Sequence, residues 1–178
     1  PRRMSRAVRG TARAPASTPS AATAAGAETT VGVVTLHSMP KRRGLCAAAI
    51  LRRPMKAVTV YCSSSQALEP HFAASARVMG HAVADRGLTL VYGGGSIGLM
   101  GEVARACKER GGTVVGVITQ KLLDLEQGWT GCDELAVVGT MQERRRLLMD
   151  RGDGFIMLPG GLGTYEEFFE VLVARQLG

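Results

Sequence analysis

From Lys56 onward, short apolar runs bounded by glycine or serine alternate with stretches in which apolar residues recur every three or four positions. That alternation of periods predicts repeated strand–helix units and a parallel sheet, the α/β class. Strands are expected at 57–62, 88–92, 113–118, 134–138 and 154–158, with helices at 70–85, 97–109, 141–151 and 164–176. The nearly unbroken apolar run Phe155-Ile156-Met157-Leu158 suits a strand covered on both sheet faces. In a doubly wound sheet of this kind ligands lie beyond the carboxyl ends of the strands. The strand-to-helix loops are therefore where chemistry is expected.

Upstream of Lys56 the pattern disappears. Residues 1–30 are mostly Ala, Ser, Thr, Pro and Arg, with no aromatic residue and one acid, Glu28. Such a segment buries too little apolar surface to offset chain entropy and is expected to be disordered. Residues 1–55 are accordingly set apart as a leader, and 56–178 as the folded domain. Arg-rich, Ser-containing, acid-poor composition is also that of organelle transit peptides. The alternative is an over-extended reading frame, with translation starting at Met4, Met39 or Met55. The first alternative implies a chloroplast or mitochondrion, the second the cytoplasm.

The formal charge of +7 belongs to the leader. Of the 22 Lys/Arg and 15 Asp/Glu, ten basic residues and Glu28 fall in 1–55, leaving 12 basic against 14 acidic residues in 56–178. A body of slightly negative charge has no electrostatic footprint for nucleic acid. Cys46, Cys62, Cys107 and Cys132 form no CxxC pair and have no histidine cluster nearby, so neither a disulfide framework nor a zinc site is indicated. Cys62 and Cys107 read as core thiols. The longest uninterrupted apolar run, 45–51, is too short to span a bilayer.

Three loops carry candidate chemistry. Cys62-Ser63-Ser64-Ser65 follows the first strand, where small hydroxyl residues such as Ser63 can meet phosphate or ribose oxygens; a plain polar turn has the same composition. Next, Gly93, Gly95 and Gly98 spell GxGxxG between a strand and a helix, a setting in which backbone amides hold phosphate. A dinucleotide site also needs an acid at the end of the following strand, about 20 residues on. That strand ends at Ile118-Thr119. Close approach of a mononucleotide to the backbone at Gly94 and Gly95 is expected instead.

The third loop is Pro159-Gly160-Gly161-Leu162-Gly163-Thr164-Tyr165-Glu166-Glu167. Its glycines permit tight curvature and expose amides, and the positive end of the last helix points at the same place. Glu167 lies one turn into that helix, beside any bound anion. Thr164-x-x-Glu167 is equally a capping box, in which the glutamate merely satisfies backbone donors. Glu143-Arg144-Arg145-Arg146 opens the preceding helix; neighbours on a helix diverge by about 100°, so one or two arginines can face the crevice while the rest are solvated. Beside a phosphate loop, such a run becomes a candidate anion clamp.

Taken together these residues resemble the Lonely Guy family, cytokinin riboside 5′-monophosphate phosphoribohydrolases once mislabelled lysine decarboxylases. The family's PGGxGTxxE pattern is met from Pro159 to Glu167 and its GGGxxGLMG pattern from Gly93 to Gly101, with resemblance from about Val58 to Gly178. The resemblance implies a Rossmann-like doubly wound sheet in three layers. It implies Arg144 and Glu167 as the catalytic pair, Glu126 and Arg145 as substrate contacts, and Gly160, Gly161, Leu162, Gly163, Thr164, Tyr165 and Glu166 around the phosphate. It implies release of a free base and ribose 5-phosphate from a nucleotide, without metal, flavin or nicotinamide, by a homodimer with no nucleic-acid or membrane partner. A broader AMP-type nucleosidase and a non-catalytic nucleotide carrier are the alternatives. A pyridoxal-dependent decarboxylase is not indicated, because Lys56, Lys108 and Lys121 have no evident cofactor setting. This chain departs from the family at Gln142, where a histidine is usual, at Thr119-Gln120 for Pro-Lys, and at Val173-Ala174-Arg175 for Thr-Trp-Ala. It stops at Gly178 where family members continue, so a fragment lacking the family's last strands and helices is expected, with the edge of strand 154–158 exposed.

Overall fold

The computed structural model describes residues 32–34, 54–126 and 128–177. Strands β1 (Gly32–Val34), β2 (Ala57–Tyr61), β3 (Thr89–Tyr92), β4 (Val114–Thr119), β5 (Glu134–Val138) and β6 (Gly154–Met157) form one sheet in the order β1-β6-β2-β3-β4-β5. All neighbours run parallel except β1, which pairs antiparallel with β6 through Val33 opposite Ile156. Helices α1 (Pro70–Asp85), α2 (Gly98–Glu109), α3 (Gln120–Glu126), α4 (Met141–Arg151) and α5 (Leu162–Leu177) follow β2 to β6 in turn.

Alternation along the strands divides the core into two layers. Val58 and Val60, Leu90 and Tyr92, and Val114 point to one face, where they meet Ala76 and Val83 of α1 and Leu99, Val103 and Cys107 of α2. Tyr61, Val91, Val115, Val117 and Phe155 point to the other, against Leu148 of α4 and Val171 of α5. This is the doubly wound, three-layer arrangement expected. Each fully buried Leu, Val or Phe contributes roughly 1.5–3 kcal/mol by leaving water, so both layers are needed to hold the sheet. Close approach of α1 and α2 depends on Gly80, where an added Cβ would lie 2.8 Å from Ala106 Cβ. Cys62 and Cys107 are free and buried, as core thiols should be.

Several expectations need correction. Within the leader 1–55, Gly32–Val34 is a strand, and it covers the β6 edge that was expected to be exposed; the rest of 1–53 lies outside the described residues. Helix α3 was not expected. At 7 residues it is too short to show a helical period, and it starts immediately after β4, where Thr119 Oγ1 accepts the Leu122 amide at 3.3 Å. Helix α5 begins at Leu162, two residues before the expected Thr164.

Candidate active site

Strands β2 to β5 step across the sheet in one direction, and β6 returns to the opposite side of β2. The strand order thus reverses between β2 and β6, and in sheets of this kind a ligand site is expected beyond the carboxyl ends of such strands. There the Ser63 amide donates to the Pro159 carbonyl at 3.1 Å, joining the loop after β2 to the loop after β6. Ser63 Oγ accepts the Ser65 amide at 3.0 Å, so the serine segment is a polar turn tied to the glycine loop.

The glycine segment before α2 is closed. The Ser63 carbonyl accepts the Leu99 amide at 2.9 Å and the Met100 amide at 3.4 Å, satisfying donors that an anion would use. Gly98 has φ +60°, and an added Cβ there would stand 2.5 Å from the Ser64 carbonyl carbon. Gly94, with φ +79°, packs against Ile118, and its carbonyl accepts the Trp129 amide at 3.0 Å. Gly94 and Gly95 are both buried, so the expected approach of a ligand to their backbone does not follow from this arrangement. Gly94 and Gly98 pack closely against neighbouring atoms.

Helix α4 is closed as well, by its own side chains. Thr140 Oγ1 accepts the Glu143 amide at 3.1 Å, and Glu143 Oε2 accepts the Thr140 and Gly139 amides at 3.1 and 3.0 Å. This capping box orients the arginines that follow. Arg144 points inward, Arg145 points toward α5, and Arg146 points to solvent beside Asp150. The buried Arg144 guanidinium makes three contacts. Nε donates to the Val117 carbonyl at 3.0 Å, Nη2 to the Gly93 carbonyl at 3.2 Å, and Nη1 to Glu167 Oε1 at 3.4 Å. Gly93 is a residue whose role was not legible beforehand: an added Cβ would collide with the Arg144 guanidinium and lie 2.9 Å from Met100 Sδ.

Helix α5 differs from α2 and α4. The Gly161 carbonyl accepts the Thr164 and Tyr165 amides at 3.0 and 3.2 Å. The Leu162 and Gly163 amides come before Thr164, the first hydrogen-bonded donor, and lie at the positive end of the helix. Gly161, Leu162 and Gly163 are all exposed. None of Gly160, Gly161 or Gly163 has positive φ, so curvature is not what requires glycine here. An added Cβ at Gly160 would collide with the buried Thr164 side chain, whereas Gly161 and Gly163 border open space. Thr164 lies inside the helix, not at its cap, and the Glu167 carboxylate reaches Arg144. The capping box possible at Thr164-x-x-Glu167 is formed instead by Thr140 and Glu143.

Glu167 is 11% exposed. Burial pushes its carboxyl up to about 7; Arg144 pulls it down, Glu166 and Glu170 push it up, and Arg145 pulls it down. Arg145 itself binds Glu166 Oε1 at 2.9 Å and Glu170 Oε2 at 3.3 Å. Glu126 closes α3, and its side chain lies outside the described residues. The structure thus brings together Ser63, the loop 160–166, Arg144, Arg145 and Glu167. Among the described residues, no group of three or more His, Cys, Asp or Glu could hold a metal ion, and no helix is long and apolar enough to cross a membrane.

Known proteins resemble this chain in sequence and in fold. Residues 100–178 match a family described as possible lysine decarboxylase. A cytokinin riboside 5′-monophosphate phosphoribohydrolase from Rhodococcoides fascians is 46% identical over 132 residues, covering 74% of this chain and 67% of the relative. One from Mycobacterium tuberculosis is 45% identical over 121 residues, covering 68% and 64%. The chain spans about half to two thirds of the length of curated relatives such as these, from 49% to 67%. Among solved structures, the molybdenum cofactor carrier protein of Chlamydomonas reinhardtii shares the fold, with TM-score 0.61 at 24% identity over 68% of this chain and 73% of that one. The sequence match leads to one conclusion: the chain belongs to the Lonely Guy family of cytokinin riboside 5′-monophosphate phosphoribohydrolases.

Proposed function

We propose that the protein hydrolyses the N-glycosidic bond of N6-substituted adenosine 5′-monophosphates, releasing free base and ribose 5-phosphate. The observation that carries this reading is the Arg144–Glu167 pair, held out of bulk water at the crevice between β2 and β6. The bond from the base to ribose C1′ breaks through a state with positive charge on the ribose ring. Water adds hydroxide to C1′ and the departing base takes the proton. A carboxylate fixed beside the ring stabilises that charge or orients the water, the role assigned to Glu167. Arg144 holds Glu167 in place and faces the phosphate or ribose.

The loop from Gly160 to Glu166 seats the phosphate on the open amides of α5, with Ser63, Arg145 and Glu126 completing the substrate contacts. Binding energy from that end of the nucleotide holds the scissile bond against Glu167. The plugged α2 terminus and the capped α4 terminus support this choice of seat.

Incubation with isopentenyl-adenosine monophosphate and with AMP, followed by assay of free base, tests the reaction. Free isopentenyladenine is the expected product; equal rates on AMP would make it a broad nucleosidase. Binding of both nucleotides without base release would mean a carrier. Only ionised Glu167 opposes the ring charge, so kcat/KM is expected to rise with pH through about 7. A profile flat from pH 5 to pH 9 would remove Glu167 from the chemistry.

The same reading makes the protein a homodimer. Leu162, Tyr165, Phe169, Val173 and Leu177 are each more than half exposed and recur along one side of α5. They fall within an arc of roughly 120°, an apolar stripe suited to a second copy. Sedimentation equilibrium is expected to give twice the chain mass, and Phe169→Glu to reduce it to the monomer. A monomeric parent protein would rule the pairing out.

A further inference from the structure

The proposed reaction gives Arg145 a substrate contact but leaves its ion pairs beside Glu167 without a task. Arg145 reaches from α4 to α5 and forks, with Nη1 2.9 Å from Glu166 Oε1 and Nε 3.3 Å from Glu170 Oε2. Glu166 and Glu170 are one helical turn apart, so a single guanidinium bridges the first turns of α5, and Glu167 stands between its two anchors. Both anchors are substantially exposed, and ion pairs of that kind add little to stability. Their consequence is orientation and field. A guanidinium fork fixes a direction that a lysine ammonium does not.

The groups facing Glu167 come from three elements: Arg144 and Arg145 from α4, Glu166 and Glu170 from its own helix, and Tyr61 and Cys62 from β2 and its end. Burial raises the Tyr61 and Cys62 pKa values, so both stay protonated and neutral. The charge balance around Glu167 therefore reduces to two arginines against two glutamates. Arg144 is already committed to Glu167, Gly93 and Val117. Arg145 pairs with both Glu166 and Glu170.

We propose that Arg145 and Glu170 are positioning residues for Glu167: their ion pair locks the first turns of α5 to α4, aims the Glu167 carboxylate at Arg144, and offsets the negative field of its neighbours. This rests on the reading in which Glu167 acts on the substrate, and it adds a residue, Glu170, that contacts no reacting atom.

The test is a titration of the Glu167 carboxyl by carbon-13 NMR in the full chain labelled at glutamate, assigned by loss of its signal in Glu167→Gln. Arg145→Met is expected to move the titration to higher pH and Glu170→Gln to lower pH, each by roughly half a unit or more, the scale of a solvent-screened neighbouring charge. Arg145→Lys is expected to return it toward the parent value. In kinetics, Glu170→Gln is expected to shift the acid limb of kcat/KM to lower pH with KM unchanged. The proposal fails if Glu167 titrates at one pH in all variants, or if Arg145→Met raises KM alone while Glu170→Gln is silent, which would make Arg145 a substrate contact only. The NMR titration needs no substrate. Absence of turnover in the parent protein would sink the proposed reaction, whereas an unmoved titration would sink the positioning role.

Discussion

Glu167→Gln is expected to lower turnover by roughly 10²–10⁴-fold, the range for losing a group that acts on developing charge. Nucleotide affinity should change little, because the proposed phosphate seat is the start of α5 and not Glu167. Base release and calorimetric binding, run side by side, measure the two effects. The same substitution carries a second, independent signature. The Glu167 carboxyl titrates near 7 in the folded protein against an ordinary 4.5. Between those pH values the folded state keeps a proton that the unfolded state has lost, so stability falls as pH rises through the window. The full fall is on the order of 3 kcal/mol and is complete above the folded value. Glutamine cannot ionise. Denaturant midpoints at pH 5 and pH 8 are therefore expected to separate in the parent protein and to separate much less in Glu167→Gln. Equal separation in both would place the pH dependence elsewhere. If the variant failed to fold at either pH, Glu167 would be a structural residue of α5.

Arg144→Lys is the second large effect, although it preserves charge. The guanidinium joins the ends of β3 and β4 to α5 through Gly93, Val117 and Glu167. A lysine ammonium is a point donor on a flexible stem and cannot reproduce that planar spread. Leaving a buried carbonyl without its donor costs about 1–3 kcal/mol. A misdirected Glu167 is expected to cost a further ~100-fold or more in turnover, as for loss of one preorganised electrostatic contact. Chemical denaturation and kcat together check this. Parent-level turnover in Arg144→Lys would show that charge alone suffices, and that the three-way contact serves only the fold.

The sheet and its main helices were legible because long periodic segments leave little choice. Helices α1 and α4 and strand β5 occupy the expected residues. Local spacing was a poorer guide to the site. Two Thr-x-x-Glu sequences occur, at Thr140 and at Thr164, and only the first caps a helix. The difference is tertiary: Gly161 supplies the first acceptor of α5, while the carboxylate of Glu167 is drawn to a buried arginine. Likewise three successive arginines are identical as sequence. The phase set by the Thr140 cap is what sends Arg144 inward and Arg146 outward. The contacts of Gly93 with Arg144 and of Glu170 with Arg145 were not legible, because the partners lie 51 and 25 residues apart in the chain. Strand β1 has only 3 residues, shorter than any period can reveal.

The closed α2 terminus also bears on which phosphate groups could bind there. A GxGxxG turn ordinarily offers a pyrophosphate its helix amides, yet here Ser63 occupies them from the neighbouring strand, and Gly98 lies in contact with that same turn. The Leu99 and Met100 amides are therefore satisfied within the fold and are not open to a pyrophosphate. Making the protein a nicotinamide or flavin binder would require rebuilding the turn after β2, however the glycines themselves were changed.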